Sequence, residues 1–218
     1  MPDMLAVASS AFDEAASARA LLNGATRDVH ERMHHHPGFA AVADGSITRD
    51  RYRSLLARSY GFHDTFERRA NVTPVRSGRL RDDLRVLGLS DAEIDELPRC
   101  NLPSLCGAAV CLGARYVVEG SAIGGLVLAR GLDELLGRGK VSGRTFLLGD
   151  GMQAGKAWAS FLGELDRGLN TVIARRDAKA SAQATFRAFE ILMRGWNDDG
   201  STEGVEPREQ GRSYQLRS

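Results

Sequence analysis

Histidine is the side chain best suited to bind a metal ion or move a proton near neutral pH, and four of the chain's five histidines lie within RDVHERMHHHPG (Arg27 to Gly38). Helix positions four apart share one face, so His30 and His34 stack on one side. The run lacks the glutamate of an H-E-x-x-H metal site, and consecutive histidines point in different directions. We interpret His34, His35 and His36 as residues of a helix end, where imidazole binds free carbonyl groups and meets the negative end of the helix dipole.

His30 differs from its neighbours because it borders the apolar stripe of its helix. A neutral imidazole in that place is either a satisfied core residue or the ligand of a metal that a cofactor holds. His63 is a rival candidate, since it follows apolar residues on one face of the next helix. The residues alone leave both interpretations open. The stripe beside His30 consists of Leu22, Thr26, Val29 and Met33.

A second informative stretch is the helix-like segment GARYVVEGSAIGGLVLARG (Gly113 to Gly131), which contains Gly120, Gly124 and Gly125. Each interior glycine costs a helix about 1 kcal/mol relative to alanine, so three of them within six positions need a reason. Glycine allows another surface to reach the backbone. That surface is either a neighbouring helix or a flat ligand, and the pattern by itself does not decide between them.

Composition narrows the class of protein. The chain has 218 residues, 43% of them hydrophobic and 26% charged, with a net charge of +1. This balance predicts a globular protein without bulk attraction to nucleic acid or to anionic membranes. No uninterrupted apolar run approaches the roughly 20 residues that span a bilayer, and the first twenty residues lack the basic start of a signal peptide. Three cysteines at positions 100, 106 and 111 fit no zinc or redox motif, so we expect reduced thiols in a cytoplasmic protein.

The chain reads as nearly all helix, because alternation typical of strands never lasts. We expect one all-α domain over residues 13–196, between a mobile N-terminus (1–12) and a mobile polar tail (197–218). The predicted helices cover Asp13 to His35, Thr48 to Arg69, a short one that begins with the capping box at Ser90, Ser104 to Leu132, Gly151 to Leu169 and Asp177 to Trp196.

Six blocks in this order carry a resemblance to a known family: ATRDVHERM, YRSLLARSYGFHDTFE, LRVLGLSDAEIDELPRCNLP, ARYVVEGSAIGG, GKAWASFL and ATFRAFEIL. Over residues 21–196 the chain resembles the bacterial haem oxygenases, in particular those that supply biliverdin to bacteriophytochromes. The resemblance implies a single-domain, all-α, haem-oxygenase-like helical bundle, with haem between a proximal helix and a kinked distal helix.

The resemblance also implies roles for individual residues. His30 matches the proximal ligand of the haem iron, and the distal segment that carries catalysis matches Gly120, Ser121 and Gly124. Two positions depart from the family pattern. His34 stands where the family often has a carboxylate beside the proximal histidine, and the Ser121 region replaces a distal aspartate that some relatives have. Further haem contacts that the resemblance implies are Arg27, Tyr116, Gly125, Lys156 and Phe186.

The implied reaction is the oxidative cleavage of haem b, which is both substrate and cofactor, by O₂ to biliverdin, carbon monoxide and ferrous iron. The sequence has no P-loop and no GxGxxG after a strand, so we expect no bound nucleotide or flavin. Electrons are then expected from an external donor, a ferredoxin, a flavodoxin or a reductase. The resemblance also implies a bacteriophytochrome as recipient of the biliverdin.

Two alternatives stay open. One is a haem-binding protein that stores haem without degrading it. The other is a haem-free relative of the same architecture, such as a thiamin-salvage hydrolase or a di-iron oxidase. A hydrolase of that kind needs a catalytic cysteine, yet Cys106 and Cys111 sit in an apolar run that suits packing. A di-iron site needs several carboxylates and histidines on facing helices. His63 and Glu67 could make one such pair, but Glu119 is too isolated to complete the site.

Overall fold

The computed structural model describes residues 17–196, apart from the side chains of Ile123 and Met152. Over these residues the chain forms ten α-helices and one 3-10 turn, and no strand. The two terminal segments that we predicted to be mobile lie outside the described residues. The helices are α1 (Ala18–His34), α2 (Pro37–Ala43), α3 (Arg49–Ala70), α4 (Val75–Val86), α5 (Asp91–Glu96), α6 (Ala108–Gly131), α7 (Asp133–Leu136), α8 (Thr145–Leu148), α9 (Ala154–Gly168) and α10 (Val172–Met193), and the 3-10 turn is Gly151–Gln153.

The long helices α6 and α10 form the central pair of the fold. Helix α10 also packs against α1 and α3, and α6 also packs against α9, α2 and α8. The largest buried cluster joins α3, α4 and the end of α6. The all-α class predicted from the sequence is confirmed, because each long helix buries one apolar face against these neighbours. The central side chains of this largest buried cluster include Tyr52, Leu56, Leu80, Leu84 and Leu132.

Bare backbone at three glycines allows the helices to approach closely. A Cβ atom at Gly113 would collide with the backbone of Ala178 in α10, and one at Gly131 would collide with the carbonyl of Val42 in α2. In α3, Gly61 meets the carbonyl of Pro98 in the same way. These contacts are of the small-residue packing type that the sequence left as one explanation of the glycine helix.

His36 corrects the interpretation of the histidine run. Helix α1 ends at His34 and is capped by His35, but His36 is the N-cap of α2 and so begins the next helix. Its Nδ1 accepts a hydrogen bond from the backbone N–H of Gly38 (3.2 Å), and its Nε2 lies 3.2 Å from the carbonyl oxygen of Met193. Because Nδ1 must accept, the ring is neutral, with its proton on Nε2. The sequence could not show this second partner, which lies at the end of α10.

Helix α4 was absent from the sequence prediction. Its strongly charged sequence, VRSGRLRDDLRV, has only a weak apolar face. The buried carboxylate of Glu67 in α3 supports its first turn, accepting from the backbone N–H groups of Arg76 (2.7 Å) and Ser77 (3.0 Å). A carboxylate at a helix N-terminus both satisfies free donors and favours the positive end of the dipole. The support comes from another helix, so no local capping signal marks α4.

The close approach of α6 and α10 makes a first prediction. We expect Gly113→Ala to lower the free energy of unfolding by about 1–3 kcal/mol, because the added methyl group forces the two backbones apart. The matched control is Gly24→Ala in α1, where a Cβ meets no atom within 4 Å and where alanine raises helix stability by roughly 0.5–1 kcal/mol. Chemical denaturation of both variants measures the difference, and equal stabilities would contradict the packing role of Gly113.

The junction at His36 makes a second prediction. Burial lowers the pKa of His36 below its ordinary value, so the unfolded chain binds a proton below about pH 6.5 that the folded chain does not bind. The free energy of unfolding therefore falls as the pH drops from 6.5 towards 5. We expect His36→Asn, which keeps an N-cap side chain, to make this fall shallower in denaturation series across that pH range. His35→Asn, at an exposed cap, is the control, and an unchanged slope in His36→Asn would refute the assignment.

Candidate functional site

His30 lies on the outer part of α1, beside aromatic neighbours. Its ring meets that of His34 edge to face, with centroids 4.5 Å apart, and that of Phe186 in α10 at 6.1 Å. Partial burial, followed by the charge of His34, lowers the pKa of His30. The imidazole is therefore neutral at pH 7, which is the form that binds a metal. The structure thus brings His30 and Phe186 together.

The two basic residues among the implied haem contacts lie at the protein surface. Arg27 on α1 and Lys156 on α9 are both exposed to solvent. A different cation on α1, Arg32, forms an ion pair with Glu190 of α10, with Nε and Oε1 2.5 Å apart. The sequence analysis missed this pair, since the partners are 158 positions apart.

The glycines of α6 point in two directions. Gly120 and Gly124 are four positions apart and share one face. A Cβ at Gly120 would lie 3.6 Å from the ring of Trp158, and one at Gly124 would meet no atom within 4 Å. A Cβ at Gly125 would instead lie 2.5 Å from the carbonyl oxygen of Leu147 in α8.

Two of the predicted distal residues, Gly125 and Ser121, are engaged in contacts within the protein. The missing side chain of Gly125 is explained by packing against α8, so its geometry does not support the ligand contact that we expected. Ser121 is exposed, and its hydroxyl donates to the carbonyl oxygen of Val118 at 2.8 Å. Helix α6 is uninterrupted through this segment.

An aromatic pair borders the glycine face. Tyr116 lies one turn before Gly120, and its ring centroid is 5.7 Å from that of Trp158 in α9. Both residues are half-buried, and burial raises the pKa of the Tyr116 hydroxyl. Tyr116 was implied by the resemblance, but Trp158 was not singled out. Its only sequence signal was a place near the apolar face of α9.

Helix α6 is more exposed to solvent than its apolar composition would predict. Among the described helices it is the one that is long and apolar enough to cross a membrane, by length and composition alone, with a mean hydropathy of 1.3. Its packing against α10, α9, α2 and α8 identifies it as a central helix of the bundle. Only 29% of the apolar stretch of α6 that meets this test is buried inside the protein. An apolar helix with an open glycine face and so little burial has room for an apolar ligand.

Two polar residues, Glu119 on α6 and His63 on α3, are held by their neighbours. Glu119, which immediately precedes Gly120, accepts a hydrogen bond from Arg76 of α4 at 2.8 Å. His63 of α3 is buried between the rings of Phe62 and Phe146, with centroids at 5.2 Å and 5.0 Å. Burial, and next the charge of Arg76, holds the pKa of His63 well below its usual range.

The carboxylates here do not form a di-iron site. Glu67 supports the start of α4, and Glu119 is paired with Arg76. Within residues 17–196, no group of three or more His, Cys, Asp or Glu side chains is placed to hold a metal ion. Of the cysteines weighed for hydrolase chemistry, Cys106 is exposed and Cys111 is half-buried.

Comparison with known proteins agrees with the resemblance. A sequence model of the family described as Heme oxygenase matches residues 16–195. A protein described as Heme oxygenase from Xanthomonas campestris pv. campestris (strain 8004) is 35% identical over 165 residues, which cover 70% of this chain and 94% of that relative. The family match spans all the helices that carry the candidate site, and the chain belongs to the heme oxygenase family.

Proposed function

We propose that the protein cleaves its substrate haem b oxidatively to biliverdin, carbon monoxide and ferrous iron, with O₂ and electrons from an external donor. Family membership supports an oxidoreductase that binds haem. The observation that carries the proposal is that two suitable features sit on neighbours of the same helix. The neutral His30 on α1 and the open glycine face of the poorly buried apolar helix α6 belong to helices that both pack on α10.

The residues present suit a flat, apolar, iron-containing ligand. His30 is a neutral imidazole with a partly exposed ring, so its free nitrogen can bind iron, and Phe186 offers an aromatic contact beside it. Gly120 and Gly124 present backbone without side chains, so a planar ring can lie close to α6. Because Gly125 packs on α8, we leave it out of the ligand contacts.

Each group of residues has a defined task in this proposal. His30 ligates the iron, and its contact with His34 orients the ring, since neighbours of a ligand tune its strength. Gly120, Ser121 and Gly124 would leave space for O₂ beside the bound haem, and Tyr116 and Trp158 would contribute aromatic contacts at its border. Exposed Arg27 and Lys156 are candidates to bind the haem propionates by charge-assisted hydrogen bonds.

The oxidative chemistry comes from haem and O₂, and the protein sets the surroundings in which it proceeds. We propose that the electrons come from a ferredoxin, a flavodoxin or a reductase, without a flavin or nucleotide bound to this chain. Cytoplasmic location and delivery of biliverdin to a bacteriophytochrome complete the proposal. The deciding experiment is titration with hemin, followed by aerobic reduction and identification of the bilin. A stable complex that yields no bilin would indicate haem storage instead.

Removal of the proposed iron ligand is the most direct test. We expect His30→Ala to abolish the absorption spectrum of a histidine-ligated ferric haem and to lower the rate of bilin formation by about 100-fold or more, since even the loss of a group that supports a ligand costs 10–100-fold. His35→Ala, on the same helix but exposed at its cap, serves as the control.

His63 is the rival candidate for the iron ligand, and its substitution provides the outcome that would contradict the assignment of His30. If His63→Ala removes the axial-ligand spectrum and His30→Ala does not, the ligand assignment is wrong. Circular dichroism of all three variants excludes unfolding as the cause.

The open glycine face generates a further prediction. We expect Gly124→Leu to lower the rate of bilin formation at least about tenfold, because the side chain fills the space proposed for haem and O₂. The free apoprotein gains roughly 0.5–1 kcal/mol of stability, as leucine is the better helix former. Gly24→Leu, at an equally open helical position of α1, is the control, and it gains stability without losing activity. Unchanged bilin formation in Gly124→Leu would contradict the stacking of haem on α6.

A further inference from the structure

Two polar contacts tie α1 to α10, one on each side of His30 along the helix. The amide Nε2 of Gln183 donates a hydrogen bond to the carbonyl oxygen of Ala25 at 3.0 Å. The guanidinium of Arg32 donates to both carboxylate oxygens of Glu190, from Nε to Oε1 at 2.5 Å and from Nη2 to Oε2 at 3.2 Å. One contact therefore precedes His30 on α1 and the other follows it.

The two contacts share the same offset in the sequence. Each joins residues that are 158 positions apart, so the step from Ala25 to Arg32 on α1 equals the step from Gln183 to Glu190 on α10. The two helices therefore run in the same direction and keep one axial register over about two turns. A slide of α1 along α10 would break both contacts at once.

The ring that neighbours His30 belongs to the same stripe of α10. Gln183, Phe186 and Glu190 follow one another at spacings of three and four residues, which place side chains on one face of a helix. Phe186 lies between the two polar residues, and its ring centroid is 6.1 Å from that of His30. The face of α10 that binds α1 by polar contacts is thus also the face that meets the imidazole.

Apolar packing gives little support to the part of α1 that carries His30. From residue 27 to residue 32 every side chain of α1 is exposed, except for the half-buried Val29. The helix packs mainly on α10, with smaller contacts to α9 and α2. The polar contacts are therefore the specific links between this stretch and α10. The buried residues of α1 lie before and after the stretch and are Ala18, Leu21, Leu22, Thr26 and Met33.

The ion pair is better suited to fix a position than to add stability. The side chain of Arg32 is 55% exposed and that of Glu190 is 16% exposed, and an ion pair so open to solvent contributes little to the free energy of unfolding. A guanidinium that meets a carboxylate with two N–H donors is nevertheless restricted in direction as well as in distance. Arg32 acts on His30 through the backbone of α1, because helical residues two positions apart do not face each other.

We propose that Arg32 and Glu190 are positioning residues for His30. Their ion pair, together with the contact from Gln183, holds α1 in register with α10, so that the imidazole keeps one orientation. Loss of the pair lets this part of α1 shift, and the imidazole then loses its fixed place beside Phe186. The inference rests on the proposed function, in which His30 ligates the iron, and it adds the residues that hold this ligand in place.

The test uses variants of the full chain. Arg32→Met removes the guanidinium and keeps the apolar stem, Glu190→Leu removes the carboxylate, and a double variant lacks both groups. Arg32→Lys keeps the positive charge but cannot form the two-donor contact. The matched control is Arg176→Met, because Arg176 is an exposed arginine that pairs within α10, with Asp177 at 2.9 and 3.0 Å.

The protein without haem supplies the first measurement. The NMR signals of the His30 ring protons are displaced in the original protein by the neighbouring rings of His34 and Phe186. We expect these signals to move towards those of a free histidine in Arg32→Met and in Glu190→Leu. The denaturation midpoint of both variants stays close to that of the original protein, since the pair is exposed. Arg176→Met changes neither measurement.

The hemin complex supplies the second measurement. We expect hemin to dissociate about tenfold faster from Arg32→Met and from Glu190→Leu, because groups that orient a ligand change metal affinity by about 10–100-fold. The iron–histidine stretching band of the ferrous complex broadens as the imidazole adopts several orientations. The double variant is no more impaired than either single variant, because the two side chains act as one unit. Arg32→Lys recovers part of the loss, and Arg176→Met keeps the original rate and band.

The outcomes separate this inference from the proposed function. Failure of the original protein to bind hemin or to form bilin overturns both. Normal hemin binding and bilin formation by the original protein, with unchanged His30 signals, dissociation rate and stretching band in Arg32→Met and Glu190→Leu, overturn the positioning role alone. A large fall in the denaturation midpoint of these variants would show a structural role and would also overturn it, as would additive losses in the double variant.

Discussion

The contact on which the rest of the structure depends is the backbone-to-backbone approach of α6 and α10. At Gly113 the two helices come closer than any side chain would allow, because the backbone of Ala178 occupies the place of a Cβ atom. Helix α10 in turn carries α1, and with it His30, while α6 carries the open glycine face. A change in the distance between α6 and α10 would therefore move the glycine face relative to His30.

One helix uses the same residue type for two purposes. Gly113, Gly125 and Gly131 face backbone atoms of α10, α8 and α2, so they permit close packing. Gly120 and Gly124 face an aromatic ring and open space. Glycine is destabilising within a helix in either case, and tertiary packing compensates only for the first three. Close backbone packing does not explain Gly120 and Gly124, and for this reason we propose a ligand contact for them.

Buried polar groups divide in a similar way. Glu67 and Asp83 are buried carboxylates whose oxygens accept backbone N–H groups of α4 and α8, so each helps to build the fold. His36 satisfies both ring nitrogens and ties α2 to the end of α10. The Nδ1 atom of His63 has no such partner.

The sequence by itself determined the helical class, the approximate extent of the main helices, and His30 and the glycine segment as the features to explain, since helical periodicity and the cost of interior glycine are local properties. The sequence could not show that Gly125 packs against α8 while Gly124 faces open space. This difference depends on where α8 lies, and α8 is distant from both glycines in the sequence. The sequence analysis also missed helix α4, the second partner of His36, and the position of Trp158 over Gly120. Each of these depends on residues distant in sequence, and only the tertiary structure brings such groups within contact of one another.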